Sequence, residues 1–287
     1  MTTRFVLDGI AAGEPILVVM SQAKIDALRS RLGDAASNVQ FAEMASIGGN
    51  PARIIPAWRE FVDRHSDDGR KAVRGIGEPI DRSRSPAELV ESQIHEVLLN
   101  LAFPEDPAFA LLCPYDTAGL DHATIAEAHR SHPHLRDVTS GRVNTGYEHP
   151  RHPLGHDWAL SPVPAGTEAV ALEGGLVNFR NAVGHYCSAL GIDAIRSDDF
   201  VVAANEILAN SLRHGGGRGT YALWHDDDVV YCEVRDGGEI TDPLVGRVRP
   251  SLQPDCGRGV WIANQLCDLV QVRTGPSGSV VRLHLKR

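Results

Sequence analysis

At 287 residues the chain is long for one compact domain, and domains of roughly 100–200 residues predict two. Its 43% hydrophobic and 23% charged residues make an ordinary folded composition, with enough chain to bury a core without disulfides. Asp and Glu number 37 against 28 Lys and Arg, and a formal charge of -9 gains nothing from counterion release, which argues against a direct nucleic-acid partner.

In chain order, Ile16–Met20 reads as a buried strand and Gln22–Leu32 as a helix ended by Gly33. Val39–Phe41 is a weaker strand, and Asn50-Pro51 supplies an N-cap and first-turn proline for a helix to about Arg64. Val73–Ile76 is strand-like. Ser85-Pro86-Ala87-Glu88 is a capping box opening a helix to about Ala102. Phe109–Cys113 is another apolar run, followed by a helix from about Asp121 to His129. This alternation predicts an α/β domain over residues 1–137 with a mostly parallel sheet.

From Val138 to Thr167, Gly, Pro, His and polar residues dominate, which reads as an interdomain linker. Residues 168–287 follow a different order: helices over Gly175–Leu190 and Ser197–His214, then strand, strand, helix, strand, strand. Asp226-Asp227-Asp228 and Gly275-Pro276-Ser277-Gly278 read as hairpin turns, so this half is predicted to be α+β.

The five cysteines, Cys113, Cys187, Cys232, Cys256 and Cys267, form no CxxC pair, so neither a zinc ribbon nor a disulfide framework is predicted. Reduced, mostly buried thiols are the reading. No charged-then-apolar leader is present and no apolar run approaches the ~20 residues of a membrane span, which predicts a cytoplasmic protein without a membrane partner.

The helix Ser197–His214 carries the first chemistry. Val201, Ala204, Leu208 and Leu212 recur at core spacing, while Glu206 and Asn210 stack four apart on another face. A solvated helix face would also produce that pair. Two glycine clusters add to it. Asp236-Gly237-Gly238 follows a predicted strand, where backbone can approach a flat ligand and a carboxylate can accept from an exocyclic amine. Gly257-Arg258-Gly259 precedes the helix Val260–Asp268, whose free amides make an anion site.

With these residues in this order, the chain from about Glu168 to Arg287 resembles the GHKL ATPases, most nearly the bacterial anti-sigma serine kinases (RsbW-like). Glu206–Gly215 resembles their N box, Asp236–Gly238 the adenine-binding G1 box, Gly257–Gly259 the G2 box, and Ser279 stands where the last motif places a Thr or Ser. The resemblance implies a GHKL (Bergerat) sandwich binding ATP and Mg²⁺. Asn210 would ligate Mg²⁺, Asp236 would read the adenine amine, and Gly238, Gly257 and Gly259 would line the nucleotide. Arg213, His214, Arg258 and Ser279 join the binding set, and Glu206 is the implied general base for a protein serine hydroxyl. In the loop Glu239–Cys256, implied to be a lid, Arg247 or Arg249 would meet the γ-phosphate, or both are solvated loop arginines. Ile240 stands where the fuller G1 motif has a second glycine.

The first half resembles the MEDS sensory domain, a degenerate RecA-like fold, through Gly13–Val19, Asn50–Phe61, Ser92–Asn100 and Leu111–Asp116. That family usually has another strand and most of a helix before the region matching Phe5–Glu14. No Gly-rich loop ending in Lys-Ser/Thr is present. Cys113-Pro114-Tyr115-Asp116, closing a predicted strand, is the expected small-molecule sensory pocket by the switch-point rule. His95-Glu96 reads as structural rather than as a phosphoacceptor. His129, His132, His134, His149, His152 and His156 lack metal-ligand spacing and read as a solvated loop.

Together these readings predict a regulatory ATP-dependent serine kinase and anti-sigma factor, acting on a STAS-type anti-anti-sigma protein, binding a sigma factor, and controlled by its first domain. A non-catalytic, nucleotide-gated sigma-sequestering module is the alternative. A histidine-kinase-like protein is a further one, disfavoured because no heptad-patterned helical hairpin precedes the ATPase region. The family's kinase modules commonly form homodimers through the ATPase domain.

Overall fold

The computed structural model describes residues 1–67, 69–103, 108–136, 140–148, 158, 160–171, 175–217, 219–250 and 257–287. They form two compact units, Met1–Arg151 and His152–Arg287.

The first unit opens on α1 (Thr2–Ala11), a helix that the sequence pattern did not predict, and continues through β1 (Ile16–Met20), α2 (Gln22–Leu32), β2 (Gln40–Glu43), α3 (Met44–Gly48) and α4 (Ile54–His65). Then come β3 (Val73–Gly77), α5 (Pro86–Ala102), β4 (Phe109–Leu112) and α6 (His122–Ser131). The sheet is parallel throughout, in the order β2-β1-β3-β4. All five residues of β1 are buried, as an uninterrupted apolar run demands when helices cover both faces. On one face Val6, Ile25 and Leu28 meet Ile16 and Val18. On the other, Trp58 of α4 lies flat on β3, and a Cβ at Gly75 or Gly77 would stand 2.9 or 3.0 Å from its ring. The glycines in Val73-Arg74-Gly75-Ile76-Gly77 make room for that indole.

The predicted capping box forms. Ser85 Oγ accepts from the Glu88 amide at 3.3 Å, and the Glu88 carboxylate accepts from the Ser85 amide at 2.8 Å. The helix expected from Asn50 starts instead with a 3₁₀ turn, Pro51–Arg53, that Asn50 caps, and α4 follows. Beyond α6, β5 (His134–Arg136) pairs antiparallel with β6 (Gly141–Val143), which lies within the stretch read as irregular linker. Asn144 closes this hairpin by donating to the carbonyl of His132 at 2.8 Å.

The second unit contains β7 (Val170–Ala171), α7 (Gly175–Ala189), α8 (Ala194–His214), β8 (Gly219–His225), β9 (Val229–Asp236), α9 (Arg258–Leu266), β10 (Leu269–Gly275) and β11 (Gly278–Lys286). Its sheet is antiparallel, in the order β10-β11-β9-β8-β7, and α8 packs between α7 and α9. The predicted fold classes, a parallel α/β unit followed by an α+β sandwich of the GHKL kind, are therefore those observed.

Helix α8 begins before the predicted Ser197 because Asp193 caps it, accepting from the amides of Ile195 and Arg196. Its buried stripe is Phe200, Ala203, Ala204, Ile207, Leu208 and Ser211, whereas Val201 and Leu212 are only half-buried. The expected core face was thus rotated, because helices on two sides and a sheet beneath decide which residues lose water. The second sheet face carries a buried ion pair, Arg282 with Glu233 at 2.6 Å. Arg282 also donates to the carbonyl of Ser161 at 2.9 Å, and Arg273 donates to that of Trp158. Residues predicted to be free linker therefore lie against this sheet. No helix among the described residues is long and apolar enough to cross a membrane.

Candidate nucleotide-binding site

Glu206 and Asn210 sit one turn apart on α8, both half-buried at the border of its core stripe. Arg213 and His214 occupy the last turn and are exposed. Gly215 ends the helix where a side chain has no room, since a Cβ there would lie 2.5 Å from both Cβ and Cγ of Asp236. This close approach seats the Asp236 carboxylate against the C-terminus of α8.

Asp236 closes β9 and accepts from the Gly238 amide at 2.8 Å, turning the backbone sharply after the strand. A Cβ at Gly238 would stand 2.8 Å from the carbonyl oxygen of His214, so glycine is required. Ser279, in register with Asp236 on β11, donates to the Gly238 carbonyl at 2.9 Å. Its Oγ also lies 3.0 Å from Thr274 Oγ1, which in turn accepts from the Ile240 amide at 3.0 Å. Two hydroxyls on neighbouring strands thereby pin the Gly238–Ile240 turn. Thr274 was not singled out from the sequence, because a threonine in a strand carries no motif of its own. Only its register opposite Ser279 reveals it.

Helix α9 starts at Gly257, in the left-handed region with φ 60°, and this glycine has no side chain with which to cap it. Among the described residues no side chain occupies its first-turn amides, the arrangement an anion site needs. Gly259 is buried against α8, and a Cβ there would overlap the Asn210 amide. The absence of that carbon lets α9 reach Asn210.

One cleft of about 490 Å³ results. Glu206, Asn210, Arg213 and His214 line it from α8, and Asp236, Gly238 and Ser279 from the sheet end. Gly257, Arg258 and Gly259 line it from α9, so these ten residues proposed from the sequence face one space, the two loop arginines excepted. Ile207, Ile240, Val245, Val260 and Val281 add apolar walls that suit a flat aromatic base. Ile240, standing in place of a glycine, contributes both a wall and a bound amide.

Neither loop arginine lines the cleft: Arg247 is buried at 5% exposure and Arg249 is exposed. Residues 251–256 of the proposed lid lie outside the described residues. The lid's near end is anchored, since Asn264 of α9 donates to the Gly246 carbonyl at 3.0 Å.

In the first unit, Cys113–Asp116 do follow β4, yet β4 lies at the sheet edge. The strand order reverses between β1 and β3, where Lys24 pairs with buried Glu78, so the switch-point reason is corrected, although Cys113 and Tyr115 do line a cavity beside β4. Hydrogen-bond register rather than chain order decides where the crevice opens. The Tyr115 hydroxyl is buried, and Asp116 turns the chain by accepting from the amides of Ala118 and Gly119. His95 is 1% exposed and serves the core, as expected. His132 is not a solvated loop residue. Its imidazole packs inside against Glu96 at 3.1 Å, while His129 and His134 are exposed and His149, His152 and His156 lie outside the described residues.

An antiparallel sheet backed by three helices, with a glycine-rich cleft between helix ends and sheet, has the form of a nucleotide-binding module. Comparison with known families agrees with that class. Residues 170–285 match the histidine kinase-like ATPase domain, and residues 1–133 match MEDS, the methanogen/methylotroph, DcmR sensory domain. No protein of curated function matches the chain. The chain carries a sensory domain followed by a histidine-kinase-like ATPase domain, the arrangement of a signalling protein.

Proposed function

We propose that the chain is an ATP-dependent serine kinase and anti-sigma factor, acting on a STAS-type antagonist under control of its MEDS domain. The observation that carries this reading is the presence of Glu206 in the same cleft as Asn210, one helical turn away. A nucleotide-binding module needs Asn210 but has no use for a second, acidic group beside it.

ATP fits the residues present: Gly238 and Gly259 let the turn after β9 and the start of α9 close on α8 around the cleft, and a glycine start of α9 suits phosphate. Mg²⁺ fits as well. Asn210 offers one hard oxygen donor, and this ion is commonly held by few protein ligands plus phosphates and water. When bound, Mg²⁺ neutralises charge on the transferring phosphoryl group. Asp236 fixes the base, and Arg213 and Arg258 add positive charge at the phosphate end. Glu206 orients the incoming serine hydroxyl and takes its proton, leaving positioning to supply most of the rate.

A non-catalytic sequestering module is the second reading. Val177, Ile195 and Val202 favour it, being large apolar side chains exposed at 59%, 73% and 48% on α7 and α8 and suited to a partner surface. Intact-mass measurement after mixing the chain, Mg-ATP and STAS proteins from the same genome separates the two. The kinase adds one phosphate to a STAS serine. Asn210→Ala should abolish Mg-dependent ATP binding, whereas Glu206→Ala should keep binding and lose transfer. Equal loss of nucleotide affinity in both variants would refute this division of roles, and ATP binding with no phosphate on any partner would favour the module.

A further inference from the structure

Where β4 ends, three side chains from separate elements converge: Glu96 of α5, Cys113 just past β4, and His132 just past α6. Their ligand atoms all lie within 4.8 Å of one another. Glu96 is 2% exposed, and neither of its oxygens receives a well-formed hydrogen bond. A carboxyl group buried this deeply is costly unless its oxygens are satisfied, so a proton or a cation is expected beside it.

The imidazole shows which partner. His132 Nδ1 lies 2.8 Å from the carbonyl oxygen of Ala128, which can only accept, so Nδ1 carries the proton. In the neutral ring Nε2 is then a lone pair, directed at Glu96 from 3.1 Å. Two electron-rich atoms at that distance require a cation, either a proton on Nε2 or a metal. With a proton there, the Cys113 thiol serves only as a weak donor beside Glu96, whereas a metal uses all three side chains as ligands. An imidazole fixed by a backbone carbonyl through its remote nitrogen is also the usual arrangement of a metal-binding histidine.

Beside the triad opens a cavity of about 320 Å³, reached by Cys113 and His132 and walled by Leu111, Ile125, Ala128 and Leu135. We propose that Glu96, Cys113 and His132 bind a divalent transition-metal ion of the zinc class, with one coordination position open to this cavity. Thiolate, imidazole and carboxylate together suit a borderline-soft ion, and three protein ligands with a vacant fourth place mark sites that accept an outside ligand. With metal–ligand bonds of about 2.0–2.3 Å, tetrahedral ligand atoms stand roughly 3.3–3.6 Å apart, so closing the triad takes movements of about an ångström. On binding, Cys113 releases its thiol proton and His132 releases any proton on Nε2. The site M²⁺, Glu⁻, Cys⁻, His⁰ is then neutral, which suits its burial.

The test uses the full chain, stripped with chelator and titrated with Co²⁺. One equivalent should bind with a thiolate-to-cobalt charge-transfer band, release protons, and be displaced by Zn²⁺. Cys113→Ser should lose the band, and His132→Asn should weaken binding by more than about 100-fold. Cys256→Ser and the pair His129→Gln with His134→Gln should leave both unchanged. Absence of the band, or its survival in Cys113→Ser, overturns the site. If Cys113→Ser fails to fold by circular dichroism, Glu96→Gln decides instead, and cobalt affinity equal to the parent's is the overturning result. Azide added to the cobalt-loaded chain should shift its visible bands, and unchanged bands overturn the open position.

Discussion

Single hydroxyls decide how the base end of the cleft is held. Thr274 accepts from the Ile240 amide and shares a hydrogen bond with Ser279, which itself binds the Gly238 carbonyl. Thr274→Val keeps the shape and removes both links, leaving an amide short of its acceptor at a cost of about 1–3 kcal/mol. Titration calorimetry should show Mg-ATP binding weakened roughly tenfold, the equivalent of about 1.4 kcal/mol. Unchanged affinity would mean that other contacts hold the turn. Glu78 makes a pH prediction. Burial raises its carboxyl above the ordinary value of 4.5, with the Lys24 ammonium opposing. The folded state therefore holds this proton more tightly than the unfolded chain does. Its contribution is fullest below pH 4.5 and is lost as pH rises through the elevated folded value. Relative to Glu78→Gln, the parent should lose urea stability as pH rises through that window, and parallel curves for the two chains would refute the assignment.

Helix ends carry most of what the elements contribute to the site. At α9, Gly257 is left-handed and Gly259 has no space for a side chain, so the helix start is brought to Asn210 by what the sequence omits. Gly259→Ala should push α9 from α8 and reduce Mg-ATP affinity at least tenfold while circular dichroism stays unchanged. An alanine chain that binds normally would show that the helix start does not hold phosphate. These ends were legible in the sequence, as was the capping box at Ser85, because each is written within about four residues. The core face of α8 was less legible. Its spacing admits more than one apolar stripe, and contact with α7 and α9 selected the one through Phe200 and Ile207.

The whole chain divides into two units, each with its own sheet and buried core. A ligand that binds only the folded ATPase unit stabilises that unit by mass action, about 2.7 kcal/mol at a hundredfold excess over Kd. Calorimetry should therefore resolve two transitions, with Mg-ATP raising only one. Loss of the shift in Asn210→Ala, alongside an unaltered second transition, would assign the movable one to the ATPase unit. A single transition displaced as a whole would mean that the units unfold together.

The sequence by itself determined the main run of helices and strands, though not α1 or the short strands β5 to β7, the fold class of each unit, and the glycine and polar positions that meet in the cleft. Those features rest on local chemistry: periodicity, cap hydrogen bonds, and backbone that only glycine allows. The tertiary structure alone decided that the strand order reverses between β1 and β3, away from Cys113. It also decided that Trp158 and Ser161 meet Arg273 and Arg282, and that Glu96, Cys113 and His132 meet at all. Each of these joins residues distant in the chain, and such meetings follow from strand pairing and packing, which leave no spacing in the sequence to read.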